Sequence, residues 1–240
     1  MKSDDFYERN RVTHEIIHAK RSEICYNLIT DLITNKINCG EKAKILDLGC
    51  GDGKFIAKFG KRCEIFGVDV SSKAVELAKK SDVNAYKADI SCEKLPFENE
   101  YFDIIYFGDV IEHLIDPDFA INEVVRVIKR NGFLVLSTPN LACWLNRLLL
   151  LLGMQPLFSE VSTNKIFGRS GSFPVGHLRL FTYRALQEFL AYYQFRIIRT
   201  MGAPFDRLPR LVKKLDVVFS RIPSLSSIVV VVACVNRWEG

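Results

Sequence analysis

Apolar residues follow two spacings along this chain, one typical of helices and one typical of buried strands. Residues 13–37 carry apolar side chains three or four positions apart, and Cys39 and Gly40 follow as a stop signal. The helical spacing predicts a leading helix over 13–37 and further helices over 53–61, 72–81, 117–129 and 182–193. Apolar runs rich in Val, Ile and Phe predict strands over 43–50, 63–70, 84–90, 103–109, 132–138, 196–203 and 227–235.

Alternating strands and helices predict an α/β fold, in which a mostly parallel sheet is covered by helices on both faces. Ligands of such folds bind at the carboxyl ends of the strands. We expect residues 1–240 to form a single domain, because no linker or repeat divides the chain and its hydrophobic content of 48% is ample for one large core.

The segment AKILDLGCGDG, residues 43–53, is the most informative stretch. A short apolar strand runs through Asp47 into Gly49, Gly51 and Gly53, and the residues that follow have the composition of a helix start. Glycines allow a ligand to approach the backbone closely, and a helix N-terminus presents N–H groups to it. The segment therefore predicts a binding turn for a nucleotide-like cofactor, with a ligand-free tight turn as the alternative.

Asp69 strengthens the cofactor interpretation. It ends the second predicted strand, eighteen residues after Gly51, where a carboxylate can accept hydrogen bonds from both hydroxyls of a ribose. Dinucleotide-binding folds share this layout, but their fingerprint requires a third glycine where this chain has Lys54. A nicotinamide-dependent oxidoreductase on a Rossmann-like sheet is therefore only an alternative.

Five motifs together give the chain a family resemblance over nearly its whole length. They are DLGCGDG, GVDVS (67–71), KADI (87–90), FDIIYFGDVIEHL (102–114) and VIKRNGFLVLSTPN (127–140). In these motifs the chain resembles the class I S-adenosylmethionine-dependent methyltransferases and is distantly similar to the ubiquinone-pathway O-methyltransferases. The resemblance implies a Rossmann-like seven-stranded sheet of order 3-2-1-4-5-7-6 with its last strand antiparallel, and S-adenosyl-L-methionine as cofactor.

The resemblance also implies roles for the residues of the glycine turn. Gly49 and Gly51 would line the methionine and ribose part of the cofactor, and Asp47 would accept hydrogen bonds from backbone or from the cofactor's ammonium group. Asp69 would bind the ribose hydroxyls. Its alternative role is to cap the next helix, which the serines at 71–72 could do instead.

The adenine is expected after the third strand. Asp89 would accept a hydrogen bond from the adenine amino group, and Ile90 would offer its backbone N–H to the ring edge. Val70 and Ile90 could add apolar contact. An Asp in a loop is often a turn former, and both apolar residues could belong to the core, so these alternatives stay open.

Asp109, Glu112 and His113 form D-x-x-E-H at the exit of the fourth strand, where the resemblance also implies contact between Asp109 and the cofactor, and His177 follows in GHLRLFT. Carboxylates and imidazoles at this density suit a divalent cation, Mg²⁺ or Mn²⁺. The pattern is similar to E-x-x-E-H with a distant His, which looks like the metal site of ubiquinone-pathway O-methyltransferases and small-RNA 2′-O-methyltransferases. In this chain Asp109 stands in place of the first Glu. The alternatives are a helix cap at Glu112, local hydrogen bonding at His113, or catalysis by Asp109, His113 or His177 as a base for a hydroxyl acceptor.

Two segments are candidates for contact with an acceptor or partner. Residues 141–180 are long for a connection and begin with a very apolar helix, which suggests a lid or substrate insertion, or else packing on the core or on a second subunit in a homodimer. Residues 207–225 are amphipathic and basic. They are expected to cross from strand six to strand seven, with peripheral contact to an anionic membrane as the alternative.

Composition narrows the remaining choices. The net charge of +5 does not distinguish an anionic partner from an ordinary solvated surface. The longest apolar runs are too short to span a membrane. Seven scattered cysteines without a C-x-x-C pair favour a cytoplasmic protein. Nucleic acid is not the expected partner, because no aromatic and basic platform accompanies the motifs, although a metal-assisted 2′-O RNA methyltransferase stays an alternative. The favoured function is O-methylation of a small-molecule or lipid-like acceptor.

Overall fold

The computed structural model describes residues 19–35, 42–170 and 174–235. The leading helix is described over Ala19–Asn35, and the remainder of the predicted 13–37 lies outside the described residues. The helices are α1 (Ala19–Asn35), α2 (Lys54–Ala57), α3 (Ser72–Lys80), α4 (Pro117–Val127), α5 (Trp144–Leu151), α6 (Tyr183–Tyr192) and α7 (Arg210–Phe219), with a 3₁₀ turn over Ile111–His113. The strands are β1 (Ala43–Leu48), β2 (Cys63–Asp69), β3 (Asn84–Lys87), β4 (Phe102–Gly108), β5 (Ile128–Pro139), β6 (Phe195–Ala203) and β7 (Ile228–Val235).

These strands form one seven-stranded sheet of order β3-β2-β1-β4-β5-β7-β6, which confirms the predicted fold. β1 pairs in parallel with β2 and β4, and β4 pairs in parallel with β5, whereas β7 is antiparallel to both β5 and β6. β1, β2, β4, β5 and β6 therefore all end at the same edge, which we call the carboxyl edge of the sheet. The predicted site residues near positions 47, 69, 89 and 109 lie along it.

Helices cover both faces of the sheet because successive strand residues point to opposite sides. Leu46 and Leu48 pack into one core cluster with residues of α4 and α6, and Ile45 packs into the other with residues of α1 and α3. Each of these three side chains is at most 1% exposed. Burying a side chain of this size contributes about 1.5–3 kcal/mol, so both faces of the central strand hold the fold together.

Two element boundaries differ from the prediction in an informative way. The helix expected over 53–61 is α2 followed by tight turns, in which the N–H of Gly60 bonds to the carbonyl of Ala57 at 3.1 Å. β5 begins at Ile128 rather than 132, because Ile128 already pairs with Phe102. The polar run Lys-Arg-Asn that follows Ile128 conceals this start in the sequence.

The segment 141–180 leaves and rejoins the sheet at one place. Asn140 forms an isolated parallel bridge with Phe181, and the N–H of Leu141 donates to the carbonyl of Phe181 at 2.9 Å. The predicted apolar helix is present within it as α5. The amphipathic segment 207–225 contains α7 and connects β6 to β7 at the carboxyl edge, as predicted. In the three described ranges, none of the helices combines the length and apolarity needed to cross a bilayer.

Candidate functional site

The glycine turn after β1 is tied to the end of β2 by main-chain hydrogen bonds. The N–H groups of Gly49 and Cys50 both donate to the carbonyl of Val68, at 2.8 and 3.0 Å. Gly49 and Gly51 adopt left-handed φ angles of +76° and +58°. A Cβ at Gly49 would lie 2.5 Å from Cγ2 of Val110, whereas a Cβ at Gly51 would have no heavy atom within 4 Å. The backbone at Gly51 thus borders open space.

Asp69 joins the turn to the next helix. Its Oδ2 accepts a hydrogen bond from the N–H of Gly51 and its Oδ1 accepts one from the N–H of Ser71, both at 2.9 Å. Ser71 is the N-cap of α3, because its Oγ accepts from the N–H of Ala74 at 3.4 Å. The capping role considered for Asp69 therefore belongs to Ser71. A carboxylate has about four acceptor positions, so these two bonds leave capacity for ribose hydroxyls.

The predicted adenine residues lie just beyond β3. Oδ1 of Asp89 accepts from the N–H of Ser91 at 2.9 Å, and the N–H of Asp89 donates to Glu93 at 2.7 Å. Asp89 is therefore a turn former, as one of its two interpretations held. Ile90 is buried within a core cluster and Val70 is half-buried. The arrangement leaves their contact with adenine a prediction.

Asp47 lies beneath the glycine turn and is almost fully buried. Burial raises the pKa of its carboxyl well above the ordinary value, the charge of Asp69 raises it further, and the guanidinium of Arg21 opposes both. A positively charged ligand beside Asp47 would stabilise the ionised carboxylate. The base of the turn thus favours a cationic group.

Arg21 of α1 is a site residue that the sequence interpretation missed. Its Nη2 lies 2.9 Å from Oδ2 of Asp109, and its Nη1 donates to the hydroxyl of Tyr106. Burial is the largest single effect and disfavours the guanidinium charge, but the charge of Asp109 and the smaller contributions of Tyr106, Cys25 and Glu112 together outweigh it, so the pKa of Arg21 rises. Arg21 lies three and seven residues before Ile24 and Leu28 on the buried face of α1. An arginine within an apolar helix face was the available signal.

Asp109, at the exit of β4, is held on both sides. Besides the ion pair with Arg21, its Oδ1 accepts a hydrogen bond from Oγ of Ser137 at 2.7 Å. Its φ is +54°, a left-handed conformation that Asp tolerates better than most residues. The structure therefore directs Asp109 toward Arg21 and β5.

Glu112, His113 and His177 come together at the carboxyl edge. Each offers a ligand atom, and these atoms lie within 4.8 Å of one another; Asp109 is not part of this group. The rings of His113 and His177 are 4.8 Å apart between centroids. Three of the four residues predicted as metal ligands are thus adjacent, although His177 comes from a distant segment.

Backbone carbonyls orient both imidazoles. Nδ1 of His113 lies 3.1 Å from the carbonyl of Gly176, and Nδ1 of His177 lies 2.8 Å from the carbonyl of Phe158. Metal-binding histidines commonly direct one ring nitrogen to such a carbonyl and the other to the ion. Glu160, a second residue that the sequence interpretation missed, accepts from the N–H groups of Gly176 and His177 at 2.9 and 3.1 Å.

Glu112 is fully buried and incompletely hydrogen-bonded. Its Oε2 accepts from Oγ1 of Thr138 at 3.1 Å, while its Oε1 has no hydrogen-bond partner within the described part of the chain. Burial and then the charge of Asp109 raise the pKa of this carboxyl. Asp116, not Glu112, caps α4, because its Oδ1 accepts from the N–H of Phe119 at 2.8 Å. An orphaned buried carboxylate oxygen beside two imidazoles fits a cation ligand.

Known proteins resemble this chain in sequence and in fold. Residues 46–136 match the family model described as a methyltransferase domain. The chain is 32% identical over 124 residues to a ubiquinone biosynthesis O-methyltransferase of Pelagibacter ubique, a match that covers 48% of this chain and 50% of that protein. The chain thus spans about half the length of the curated relatives it matches.

Solved structures share the whole fold at low identity. A methyltransferase of Thermotoga maritima, described as a possible histamine N-methyltransferase, superposes with a TM-score of 0.59 at 18% identity and covers 96% of this chain and 98% of that one. A methyltransferase of Methanosarcina mazei gives 0.59 at 22% identity and covers 85% and 96%. The fold and the resemblance read from the motifs are confirmed.

Proposed function

We propose that this protein transfers the methyl group of S-adenosylmethionine to an oxygen of a small-molecule or lipid-like acceptor, because residues 46–136 match the family model described as a methyltransferase domain. The observation that carries the proposal is the hydrogen bond from the N–H of Gly51 to Oδ2 of Asp69. It links the open glycine turn to the carboxylate beside it, so that one rigid unit can hold the nucleoside. The ubiquinone-pathway name of the relatives supports an oxygen as the methylated atom.

The residues of the turn would hold and orient the cofactor. Asp69 would accept the ribose hydroxyls, Asp89 the adenine amino group, and Gly49 and Gly51 would border the ribose and methionine. When bound, the cofactor supplies a sulfonium whose methyl carbon is electrophilic. Asp47 would face its cationic methionine end. Because little acid or base chemistry is needed, alignment of the acceptor and exclusion of water contribute most of the rate.

Two glycines give a matched test of this site. Gly51 and Gly153 have φ angles of +58° and +67°, and a Cβ at either would have no heavy atom within 4 Å. Gly51→Ala and Gly153→Ala should therefore cost similar stability, about 1–2 kcal/mol for the left-handed backbone. Only Gly51→Ala should weaken S-adenosylmethionine binding, by at least about tenfold, since its methyl group would occupy the cofactor's space.

The measurement is thermal unfolding across cofactor concentrations. At one hundred times its Kd, S-adenosylmethionine should stabilise the wild-type protein by about 2.7 kcal/mol. No stabilisation at millimolar cofactor, or equal loss of affinity in both alanine variants, would contradict the proposal. Stabilisation by NAD(P) instead would favour the oxidoreductase alternative, for which no observed contact argues.

We further propose that Glu112, His113 and His177 hold a divalent cation, Mg²⁺ or Mn²⁺. The orphaned Oε1 of Glu112 and the carbonyl-oriented imidazoles support this. When bound, such an ion lowers the pKa of an acceptor hydroxyl. Without it, His113 or His177 would serve as general base, and Asp109 would position the site through Arg21 and Ser137.

Mn²⁺ binding followed by electron paramagnetic resonance separates these alternatives. His177→Gln should lower Mn²⁺ affinity at least about tenfold, whereas Asp116→Asn, which keeps a capping side chain nearby, should leave it unchanged. Equal Mn²⁺ affinity in wild type and His177→Gln would reject the cation site. Activity that survives a chelator would then favour an imidazole base.

The acceptor is proposed to enter under the segment 141–180, whose Phe158 ring lies edge-on to His177 with centroids 6.0 Å apart. The D-x-x-E-H pattern with Glu112 is also compatible with a 2′-O RNA methyltransferase, but the names of four curated relatives, all ubiquinone biosynthesis O-methyltransferases, favour a small-molecule acceptor. Cytoplasmic location and homodimer formation stay predictions. Fractionating a cell extract with labelled S-adenosylmethionine would identify the acceptor.

A further inference from the structure

Helix α7 exposes its apolar face rather than burying it. Leu211, Leu215 and Val218 follow at spacings of four and three residues, which places them on one face of α7, and Ile222 follows in the turn beyond the helix. Each is 50–77% exposed. The opposite face carries Asp216, which is fully buried. A surface helix normally turns its polar side outward, so this arrangement calls for a partner.

Helix α5 extends the apolar surface. Leu148, Leu150, Leu151 and Leu152 are 47–82% exposed. The indole of Trp144 stacks on Phe219 of α7 with ring centroids 4.9 Å apart. Leu148 and Leu151 lie four and seven residues after Trp144, so they continue the face that contacts α7. We call residues 144–152 and 210–222 together the α5–α7 platform.

A buried carboxylate holds the two helices together. Oδ1 of Asp216 accepts hydrogen bonds from Nε1 of Trp144 and from Oγ of Ser227, both at 2.7 Å. Its Oδ2 accepts from the N–H of Phe205, also at 2.7 Å. These hydrogen bonds fix α5 and α7 against the rest of the fold, so the exposed leucines belong to helices that are firmly packed.

Positive charge borders the apolar face. Arg210, Lys214 and Arg221 each precede one of its residues and are exposed. Between 207 and 222 the only acid in the sequence is Asp216, which is buried. Apolar side chains flanked by lysine and arginine, with no exposed acid, complement a surface that is apolar inside and anionic outside.

We propose that the α5–α7 platform docks this protein onto the surface of an anionic lipid bilayer. The apolar side chains would enter the boundary between headgroups and acyl chains, and the basic residues would contact lipid phosphates. Docking is peripheral and independent of cofactor or acceptor. A groove on a protein or a second copy of this chain would need apolar complementarity but has no requirement for the basic border.

The platform lies beside the candidate active site. β6 ends and β7 begins at the carboxyl edge, and α7 connects them there. The ring of Phe205 packs on Phe158 with centroids 5.0 Å apart, and Phe158 contacts His177. If the proposed function holds, docking would place the acceptor pocket next to the bilayer, where an amphiphilic acceptor resides.

Co-sedimentation with sucrose-loaded vesicles tests the docking. The full chain should bind vesicles of phosphatidylcholine with about one third phosphatidylglycerol, bind phosphatidylcholine alone at least about tenfold more weakly, and lose affinity as salt rises. Leu211→Ser with Leu215→Ser, and separately Arg210→Gln with Lys214→Gln, should each lower affinity about tenfold or more. All four positions are exposed, so the fold should persist, which circular dichroism checks.

Control substitutions lie on other exposed helix positions. Tyr192→Ser, on α6, removes an apolar side chain that is 80% exposed, and Lys79→Gln with Lys80→Gln removes two charges from α3. Both should bind vesicles as the wild type does. Controls that lose binding equally, or a wild type that ignores anionic vesicles, would overturn the proposal.

Light scattering supplies a second decisive measurement. A dimer that Leu211→Ser with Leu215→Ser dissociates would assign the platform to a second copy of the chain and overturn membrane docking. The vesicle assay contains no S-adenosylmethionine, so its failure leaves the proposed function intact. Absence of cofactor binding would likewise leave the docking result standing.

Discussion

The ion pair between Arg21 and Asp109 should be among the most sensitive points of the structure. Both side chains are less than 10% exposed, and Nη2 lies 2.9 Å from Oδ2. At an effective dielectric constant of about 20, unit charges at that distance attract by about 6 kcal/mol, part of which desolvation offsets. Removing one partner of a buried pair costs about 3–5 kcal/mol because the other charge is left without compensation. We expect this loss for Arg21→Met.

Urea unfolding followed by circular dichroism measures it. With a slope of about 3 kcal/mol per molar urea, the midpoint should fall by about 1–1.7 M. Asp109→Asn in the same chain should recover much of the loss, because asparagine tolerates the left-handed φ and leaves no buried charge. The matched control is Arg199→Met, which breaks the exposed pair between Arg199 of β6 and Asp31 of α1 at 3.2 Å and should cost less than about 1 kcal/mol. Equal losses in the two single variants, or no recovery in the double variant, would refute the reasoning.

Three further outcomes follow from the fold and the site. The folded protein holds the proton of Asp47 more tightly than the unfolded chain, so this residue's contribution to stability falls as pH rises above its ordinary pKa of 3.8. The melting temperature of Asp47→Asn should therefore rise relative to that of the wild type between about pH 5 and 8. A difference in melting temperature that stays constant over this range would contradict the argument. Asp216→Asn should cost about 2–4 kcal/mol in urea unfolding, because an amide group would face three donors, whereas Asp31→Asn should cost under about 1 kcal/mol at its exposed pair with Arg199. Gly53→Ala should lower stability by about 2–3 kcal/mol, since φ is +74° and the new methyl group would meet a neighbouring side-chain carbon at 2.8 Å; an unchanged melting temperature would show that the turn adapts.

The sheet and its order could be predicted because they depend on local periodicity and on turn chemistry. β1 carries apolar residues on both faces, which identifies it as a buried strand. The pairing of the glycine turn with Asp69 could be predicted because Asp69 lies at the end of the next strand, eighteen residues after Gly51. Roles that depend only on neighbouring residues, such as Ser71 as the N-cap of α3, could be predicted equally well. The region around Ile128 was harder, since a polar run interrupts its strand pattern.

The long-range partners could not be predicted from the sequence. Arg21 and Asp109 are far apart in the chain, and only the packing of α1 across the sheet brings them together. Glu160 accepts hydrogen bonds from two backbone N–H groups of the segment that contains His177, and no sequence motif indicates this role. Neither histidine spacing nor composition reveals that Asp109 turns to Arg21 while Glu112 turns to the imidazoles.

The bridge between Asn140 and Phe181 has an evolutionary consequence. Because the excursion over 141–180 starts and finishes at adjacent points, insertions or deletions within it need not shift the register of any strand, and a longer loop adds little closure entropy. Selection can therefore replace this stretch while the half of the protein that carries the glycine turn stays constant. If the proposed function holds, new acceptor preferences would arise by replacing one contiguous piece of gene rather than by rebuilding the sheet.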